Sequence, residues 1–298
     1  MLDWNTPKLS DKEWIEKCVK ESQYIGSDAA FANIYLLRSK YNIKVTYYKD
    51  LLIRYYEGLG NRKGYTFPLG RKDVLSAIYA IEQDAKEMNR PLEFCFVTEE
   101  QKEILENTFA GRTESSSDAG DYDYIYGQPE LSLLSGRTYH KKKNHVSKFK
   151  RTYEDYMFCE IGNGNLDDVM LIEDEWYYDR LQQDDTSAMK EYEAIREAVD
   201  NFEELSLSGG IIYANNVPVA MTIASYINDA AVDIHFEKAV GEYAVNGGFA
   251  AINQMYASTL KDVKFINREE DINIPGLRKA KESYHPKFML KKYGMRVK

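Results

Sequence analysis

The chain contains 298 residues and carries a formal net charge of −9, and its length suits two domains of about 130–150 residues better than one. No run reaches the ~18 apolar residues of a membrane span and no signal-peptide pattern opens the chain, so we expect a cytosolic protein without a transmembrane segment. The net negative charge argues against nucleic-acid binding over the whole surface. A local basic patch could still bind nucleic acid, because salt confines the electrostatic field of surface charges to about 10 Å.

The first half predicts a mixed α/β unit in which a meander of three strands precedes two helices. Ser10 and Glu13 have the spacing of a capping box, which would open a helix running to about Lys20. The apolar and β-branched runs that follow favour strands, and Arg71 to Asn89 carries the clearest helical stripe. The predicted elements are helices at 10–20 and 27–38, strands at 44–49, 51–57 and 61–68, a helix at 71–89, a strand at 92–98, a helix at 99–109 and a strand at 123–127.

The sign of the charge changes sharply near the middle of the chain. Residues 98–130 contain nine carboxylates, whereas residues 131–153 contain seven basic residues and no acid. Such a change marks a domain boundary or a binding surface, and we expect both here. We therefore predict an N-terminal domain at 1–130, a basic helical connector at 131–153 and a C-terminal domain at 154–298.

The connector also has helical periodicity, because its apolar residues recur on one face. Lys142 falls on that apolar face, and two interpretations remain open. Its stem could pack while the ammonium reaches solvent, or the ammonium could point into a site between the halves and hold an anionic group. The apolar face consists of Thr138, Tyr139, Val146, Phe149 and Tyr153.

The second half repeats the plan of the first. A hairpin turning at Asn215-Asn216 is followed by a strand, a loop with glycines and a helix, so two copies of one α/β plan are the economical interpretation. The predicted elements are a strand at 156–161, a helix and exposed loop at 166–185, a helix at 189–204, a hairpin at 209–227, a strand at 229–238, a helix from the 241–248 loop to 260, a strand at 262–269, a helix at 275–282 and a closing strand at 288–297.

This order of elements resembles the GCN5-related acetyltransferase (GNAT) fold. The segments LSGRTYHKKKNHVSKFKR at 134–151 and INREEDINIPGLRKAKESYHP at 266–286 look like the DUF2156 family, which is related to the carboxy-terminal domain of phosphatidylglycerol lysyltransferase. The resemblance implies two tandem GNAT-like domains, each a mixed sheet flanked by helices, that are kin to Fem-type aminoacyl-tRNA-dependent transferases. The full-length lysyltransferases also have a membrane-spanning part, and we expect no counterpart of it in this chain.

One loop departs from the superfamily pattern. Acetyl-CoA users carry Gln/Arg-x-x-Gly-x-Gly/Ala here, so that backbone N–H groups can cradle the pyrophosphate. This chain has Lys238, Gly241, Glu242 and Tyr243, in which a bulky ring replaces a small residue and a carboxylate would repel phosphate. The departure disfavours coenzyme A binding in this loop.

Asp233, His235 and Glu237 alternate along a predicted strand and should share a face. A metal site is conceivable but the pattern is unspecific, since such residues more often bond their neighbours, and we assign no metal. We instead predict that Glu237 orients or deprotonates an attacking amine or hydroxyl, with His235 and Lys238 binding substrate. No Cys or Ser has a convincing base partner, so direct attack on a bound ester or thioester is expected.

The strand at 262–269 ends in a charged turn, where ligands commonly meet the sheet of an α/β fold. Arg268 could pair with a carboxylate or phosphate, and Glu269 or Asp271 with an amino group. A solvated turn in which Asp271 caps the next helix is the competing interpretation. We predict catalytic roles for Glu269 and Tyr284, and substrate binding for Asn267, Arg268, Asp271 and Lys279.

These predictions favour an acyl- or aminoacyltransferase that uses aminoacyl-tRNA or acyl-CoA as donor and a small molecule or lipid as acceptor. The phosphates or RNA of the donor would meet Lys141, Lys142, Lys143 and Lys148. The alternatives are a scaffold that binds an amino-acid-like ligand without chemistry, a CoA-dependent N-acetyltransferase, and a helix that only neutralises its acidic neighbours.

Overall fold

The computed structural model describes residues 2–182 and 188–298. Within these residues every helix is too short or too polar to cross a bilayer. The helices are α1 (Lys12–Ser22), α2 (Phe31–Leu36), α3 (Val74–Glu87), α4 (Glu99–Thr108), α5 (Gln128–Leu133), α6 (His140–Thr152), α7 (Leu166–Leu181), α8 (Ala188–Asp200), α9 (Gly241–Val245), α10 (Gly248–Thr259) and α11 (Pro275–Glu282).

Local sequence signals account for some helix boundaries. The side chain of Asp73 accepts from the backbone N–H of Leu75 at 3.0 Å and so caps α3. The Ser10 capping box is wrong, because Asp11 reaches back to the backbone N–H of Lys8 at 2.8 Å and α1 begins at Lys12. The predicted helix at 27–38 is split into a 3₁₀ turn and α2, and part of the loop predicted up to residue 185 lies outside the described residues.

The strands form two mixed sheets, which confirms the predicted α/β class. The first sheet has the order β1-β2-β3-β4-β13-β5 and the second β12-β6-β11-β10-β9-β8-β7. The strands are β1 (Lys44–Tyr48), β2 (Leu51–Glu57), β3 (Lys63–Thr66), β4 (Leu92–Val97), β5 (Thr113–Ser117), β6 (Asp123–Gly127), β7 (Met157–Glu160), β8 (Ser208–Ala214), β9 (Val217–Asn228), β10 (Ala231–Ala239), β11 (Phe265–Asn267), β12 (Phe288–Leu290) and β13 (Tyr293–Val297).

The two halves follow the same order of elements. The sequence β1-β2-β3-α3-β4-α4-β5-β6 corresponds to β8-β9-β10-α10-β11-α11-β12-β13. In each sheet the third and fourth of these strands, β3 with β4 and β10 with β11, are parallel neighbours. The predicted duplication is therefore visible in the fold.

The last strand of each repeat is exchanged between the sheets. Strand β6 pairs with β11 and β12 of the second repeat, and β13 pairs with β4 and β5 of the first. The predicted single closing strand at 288–297 is thus wrong, because β12 and β13 belong to different sheets. The domain division at 130 and 154 stays a prediction, and strand pairing crosses it in both directions.

A buried ionic cluster lies where the chain passes between the sheets. Lys292 lies between β12 and β13, and its ammonium is 2.6 Å from Asp123 at the start of β6 and 3.2 Å from Asp28. Asp28 also pairs with Arg54 of β2 at 3.0 Å, and Asp123 accepts from the backbone N–H of Ser27 at 2.8 Å. Burial alone would lower the pKa of Lys292, but the two carboxylates raise it well above its ordinary value.

We predict that Lys292→Met destabilises the protein by about 3–5 kcal/mol, because it leaves the buried Asp123 carboxylate without its cation. For a chain of this size the thermal midpoint should fall by roughly 6–12 °C. Lys291→Met, at an exposed neighbouring position, is the matched control and should have almost no effect. Differential scanning calorimetry of both variants tests this prediction, and similar midpoints for the two would contradict it.

Candidate functional site

Helix α6 covers one side of the second sheet, and its packing follows the predicted apolar face. Val146, Phe149 and Tyr153 are buried, while Lys142 on the same face is half-buried. The ammonium of Lys142 lies 3.8 Å from the centre of the Tyr284 ring, which is itself buried. The connector therefore carries the Lys142 ammonium inward, but the groups around it, Glu237, Arg268 and Tyr284, belong to the second half and do not form a site between the halves.

Beside this ammonium lies a carboxylate–guanidinium pair. Arg268, directly after β11, is 2.7 Å from Glu237 of β10, and the other carboxylate oxygen of Glu237 accepts from Asn253 of α10 at 2.9 Å. The Arg268 guanidinium also lies 4.7 Å from the centre of the Tyr284 ring. Its Nη1 is buried and has no hydrogen-bond partner among the described residues. We call Lys142, Glu237, Arg268 and Tyr284 the cationic pocket.

The exchanged strand β6 holds Arg268 in place. The backbone N–H of Arg268 donates to the carbonyl of Tyr124 at 3.1 Å, and the N–H of Tyr124 donates to the carbonyl of Glu269 at 3.1 Å. The buried Lys281 ammonium donates to the backbone carbonyls of Arg268 and Glu270. A strand from the first repeat thus positions a side chain of the second.

The electrostatics of the pocket favour an anionic guest. Burial lowers the pKa of Lys142 to about 8, the positive charge of Arg268 lowers it too, and Glu237 raises it only in part. Within the described residues no carboxylate lies at ion-pair distance from Lys142. Burial also raises the pKa of Tyr284, so its hydroxyl stays protonated and can only donate or accept a hydrogen bond near neutral pH. Two cations therefore face one carboxylate, which leaves positive charge without a partner.

A second cluster lies beside the pocket, because it contains Glu269, the residue that directly follows Arg268. His235 Nδ1 lies 3.4 Å from a carboxylate oxygen of Asp233 and 3.7 Å from one of Glu269. The expected face of Asp233, His235 and Glu237 is altered by a β-bulge between Ile234 and Phe236. Glu269, not Glu237, completes the group. Burial, followed by the charge of Glu269, raises the pKa of Asp233 well above its ordinary value.

The structure places the other predicted substrate-binding residues apart from the pocket. Asn267 donates to Asp123 at 2.8 Å, and Asp271 bonds Arg278 and Tyr124 at 2.7 and 2.6 Å, so both side chains are engaged within the fold. Lys238 extends toward Glu191 of α8 and lies over Trp176 of α7. Lys279 is exposed on α11. Their substrate-binding roles stay predictions.

The remaining lysines form an exposed basic surface on α6. Lys141, Lys143 and Lys148 are all exposed. A surface hollow of about 490 Å³ adjoins them, at the beginning of the helix. The hollow is lined by Arg137, Thr138, His140, Lys141 and His285.

Sequence reasoning missed two amides that the structure brings into the site. Asn253 binds Glu237, and Asn33 of α2 binds both Asp233 and Glu269. Asn33 is separated from these carboxylates by about two thirds of the chain, so no local pattern could indicate the contact. The position of Asn253 one helical turn inside α10 offered a weak signal, since that helix follows the strand that carries Glu237.

Comparisons with known proteins agree with this architecture. The family model for the C-terminal part of phosphatidylglycerol lysyltransferase matches residues 20–296. A conserved protein of unknown function from Bacteroides thetaiotaomicron is 30% identical, with 100% of both chains covered and a TM-score of 0.94. A search of curated proteins finds no match.

Two further solved structures share the fold at low identity. L-PGS from Bacillus licheniformis is 15% identical over 96% of this chain and 92% of its own, with a TM-score of 0.67. FemX is 8% identical over 100% and 98% of the two chains, with a TM-score of 0.62. These likenesses confirm the predicted fold class of two tandem GNAT-like units.

We predict that Lys142→Met stabilises the protein below pH 8. The pKa of about 8 lies below the ordinary 10.5, so the folded state is penalised for holding an ammonium below pH 8, and the penalty fades as the pH rises toward 10.5. Because the side chain is partly solvated, we expect the thermal midpoint at pH 7 to rise by only roughly 2 °C.

Thermal unfolding of the wild type and of Lys142→Met at pH 7 and pH 10.5 measures this effect. Lys143→Met, on the exposed side of the same helix, is the control and should not shift the midpoint at either pH. A Lys142→Met protein that is less stable at pH 7, or equally stabilised at both pH values, would show that burial does not oppose the charge.

Proposed function

Because the chain belongs to the family of phosphatidylglycerol lysyltransferase C-terminal domains, we propose that it is an aminoacyltransferase that takes its aminoacyl group from aminoacyl-tRNA. The acceptor is an amine or hydroxyl of a small molecule or lipid. The DUF2156 resemblance implies kinship to Fem-type transferases, and FemX shares this fold.

One observation carries the proposal: two cations meet in a partly buried pocket and share a single carboxylate, Glu237. Arg268 Nη1 has no hydrogen-bond partner among the described residues, and the Lys142 ammonium rests on an aromatic ring instead of a carboxylate. Unpaired donors in a shielded site cost free energy in the free protein, and they favour a guest whose negative charge develops there. The oxyanion formed during acyl transfer is such a guest.

The chemistry follows from this arrangement. The acceptor nitrogen or oxygen attacks the ester carbonyl of the donor, and the carbonyl oxygen gains negative charge, which Lys142 and Arg268 stabilise. Collapse of this intermediate breaks the bond to the ribose oxygen of the tRNA, which leaves with the electron pair and takes up a proton. Glu237 accepts the proton lost by the acceptor. Its two bonded neighbours leave lone pairs free for this, because a carboxylate offers about four.

The exposed basic surface supports an RNA donor. Lys141 and Lys143 flank Lys142 on α6, and the hollow at the beginning of the helix is lined by further basic side chains. Phosphates bound on this surface would place the 3′ end of the tRNA beside the cationic pocket. The adjacent position of a polyanion-binding face and an oxyanion-binding pocket fits a charged tRNA better than a small donor.

The segment after β10, which was predicted as a loop and forms the short helix α9, argues against coenzyme A as donor. The Glu242 carboxylate there accepts from the Tyr153 hydroxyl at 3.3 Å, and the Tyr243 ring stacks on Tyr153 at 4.7 Å. The carboxylate of Glu175 also approaches Gly241, since a Cβ added there would lie 3.2 Å from its oxygen. Two carboxylates and a packed ring thus surround the position where a pyrophosphate would bind.

We predict that aminoacylated tRNA binds through the basic surface. Replacing Lys141, Lys143 and Lys148 together by Ala should weaken binding at least tenfold. It should also lower the slope of log K against log salt by about 2, because each lost phosphate contact contributes about 0.7–0.9. Filter binding across a salt series measures both quantities.

The matched control replaces three exposed lysines near the first sheet, Lys63, Lys72 and Lys86, by Ala. It should leave affinity and slope unchanged. If both triple variants lost the same affinity for charged tRNA, the loss would come from the lower net charge of the protein. That result would contradict a defined RNA-binding surface. Tight binding of acetyl-CoA instead of charged tRNA would overturn the donor assignment.

We predict that Glu237→Gln lowers transfer at least a hundredfold, since a positioned base contributes about 10²–10⁴. Its affinity for charged tRNA should stay unchanged. Transfer of a labelled aminoacyl group to amines and to phosphatidylglycerol vesicles measures the rate, with Glu103→Gln, an exposed residue of α4, as control. If the wild type transfers to neither class of acceptor but binds charged tRNA, the scaffold interpretation replaces catalysis.

A further inference from the structure

We propose that Asp233, His235 and Glu269 form a binding site for one divalent ion of the first transition row, with Zn²⁺ as the expected occupant. The three residues come from two adjacent strands, since Asp233 and His235 lie on β10 and Glu269 follows β11. This inference does not depend on the aminoacyl-transfer proposal.

The spacing of the donor atoms fits a metal ion. His235 Nδ1 is 3.4 Å from Asp233 Oδ2 and 3.7 Å from Glu269 Oε1, and the three donor atoms lie within 4.8 Å of one another. Ligands at ~2.0–2.1 Å from a tetrahedral ion are about 3.3 Å apart. Acceptors around an ammonium, at ~2.8 Å from its nitrogen, would be about 4.6 Å apart. The distances of His235 Nδ1 from the two carboxylates, 3.4 and 3.7 Å, match the metal geometry.

Two buried atoms of the cluster have no hydrogen-bond partner. The side chains of Asp233 and His235 are 0% and 1% exposed. Yet Asp233 Oδ1 and His235 Nδ1 make no hydrogen bond among the described residues. Buried polar atoms are nearly always paired, and an ion bound at His235 Nδ1 would give that nitrogen its missing partner.

The other nitrogen of His235 has a hydrogen-bond partner that is compatible with the ligating tautomer. Nε2 lies 2.8 Å from the Ser225 hydroxyl oxygen on the neighbouring strand β9. When Nε2–H donates to that hydroxyl, the lone pair of Nδ1 points at two carboxylates, which is unfavourable without a cation. Ligating histidines are commonly fixed through their second nitrogen in this manner.

The Asn33 amide also bridges the two carboxylates. Its amide nitrogen is 2.9 Å from Asp233, 2.8 Å from Glu269 and 3.0 Å from the carbonyl of Ser27. An amide has two hydrogens for these three acceptors, so one contact lacks a proton. Rotation of the amide by half a turn would place its oxygen toward the ion as a fourth ligand.

The donor set and the access route identify the class of ion. One imidazole and two carboxylates suit Zn²⁺ and its neighbours better than Mg²⁺, which keeps several waters and prefers oxygen alone. The Glu269 side chain is 29% exposed and gives the route of entry. A bound ion would join β10 to the turn that begins at Arg268, and so hold the cationic pocket in shape.

The test uses the full chain, stripped with a chelator and titrated with ZnCl₂ by calorimetry, with MgCl₂ and methylammonium chloride in parallel. One Zn²⁺ should bind per chain, and Zn²⁺ should raise the thermal midpoint. Co²⁺ in its place should give the visible absorption of a four-coordinate site. Asp233→Asn and His235→Gln should each weaken Zn²⁺ binding at least tenfold, and Ser225→Ala about tenfold through the lost orientation of the ring.

Control variants separate this site from the rest of the surface. Asp229→Asn and His145→Gln, both exposed, should bind Zn²⁺ as the wild type does. Circular dichroism verifies the fold of each variant, and Ser225→Ala keeps every ligand should a ligand variant unfold. No Zn²⁺ binding by the wild type, or equal binding by Asp233→Asn and His235→Gln, would overturn the proposal. Binding of methylammonium without Zn²⁺ would show an ammonium site instead.

Discussion

The buried pairing of Lys292 with Asp123 and Asp28 is the interaction on which the two-sheet architecture depends. Each partner belongs to a different part of the chain: Asp123 and Lys292 lie where the chain passes from one sheet to the other, and Asp28 lies in the turn before α2. A buried charge cluster needs every partner in position, because a missing one leaves a desolvated charge behind. The cluster therefore tolerates few alternative arrangements of the strands, and it fixes how the two repeats meet.

The geometry of the functional site depends on this crossing of the chain between the two sheets. Strand β6 enters the second sheet at Asp123 and, one residue later, its backbone aligns Arg268 and Glu269. The Arg268 side chain then forms part of the cationic pocket, whereas the Glu269 side chain faces Asp233 and His235. Two neighbouring residues thus serve two clusters, and the positive φ of Glu269, 55°, turns the chain between them. Pocket and acidic cluster are consequences of one strand placement.

Periodicity and turn chemistry predicted the elements of the fold because these signals are local. The apolar face of α6 could be predicted from 3.6-residue spacing alone, whereas the same spacing left open whether the Lys142 ammonium points inward or reaches solvent. The exchange of β6 and β13 could not, since pairing between strands so distant in sequence leaves no local trace. The grouping of Glu237 with His235 failed for a similar reason, because a single-residue bulge in β10 changes which side chains meet. Asn33 entered the site from a distant helix.

The strand exchange has a consequence for the order in which the protein folds. Strand β13 separates β4 from β5 in the first sheet, yet the whole second repeat lies between β5 and β13 in the chain. The first sheet therefore stays incomplete until the second repeat has been synthesised and docked. Pairings of such long sequence separation slow folding and leave strand edges exposed meanwhile. Neither repeat is an independent folding unit, because each sheet contains a strand from the other repeat. Sequence changes in one repeat must therefore preserve strand pairing with the other.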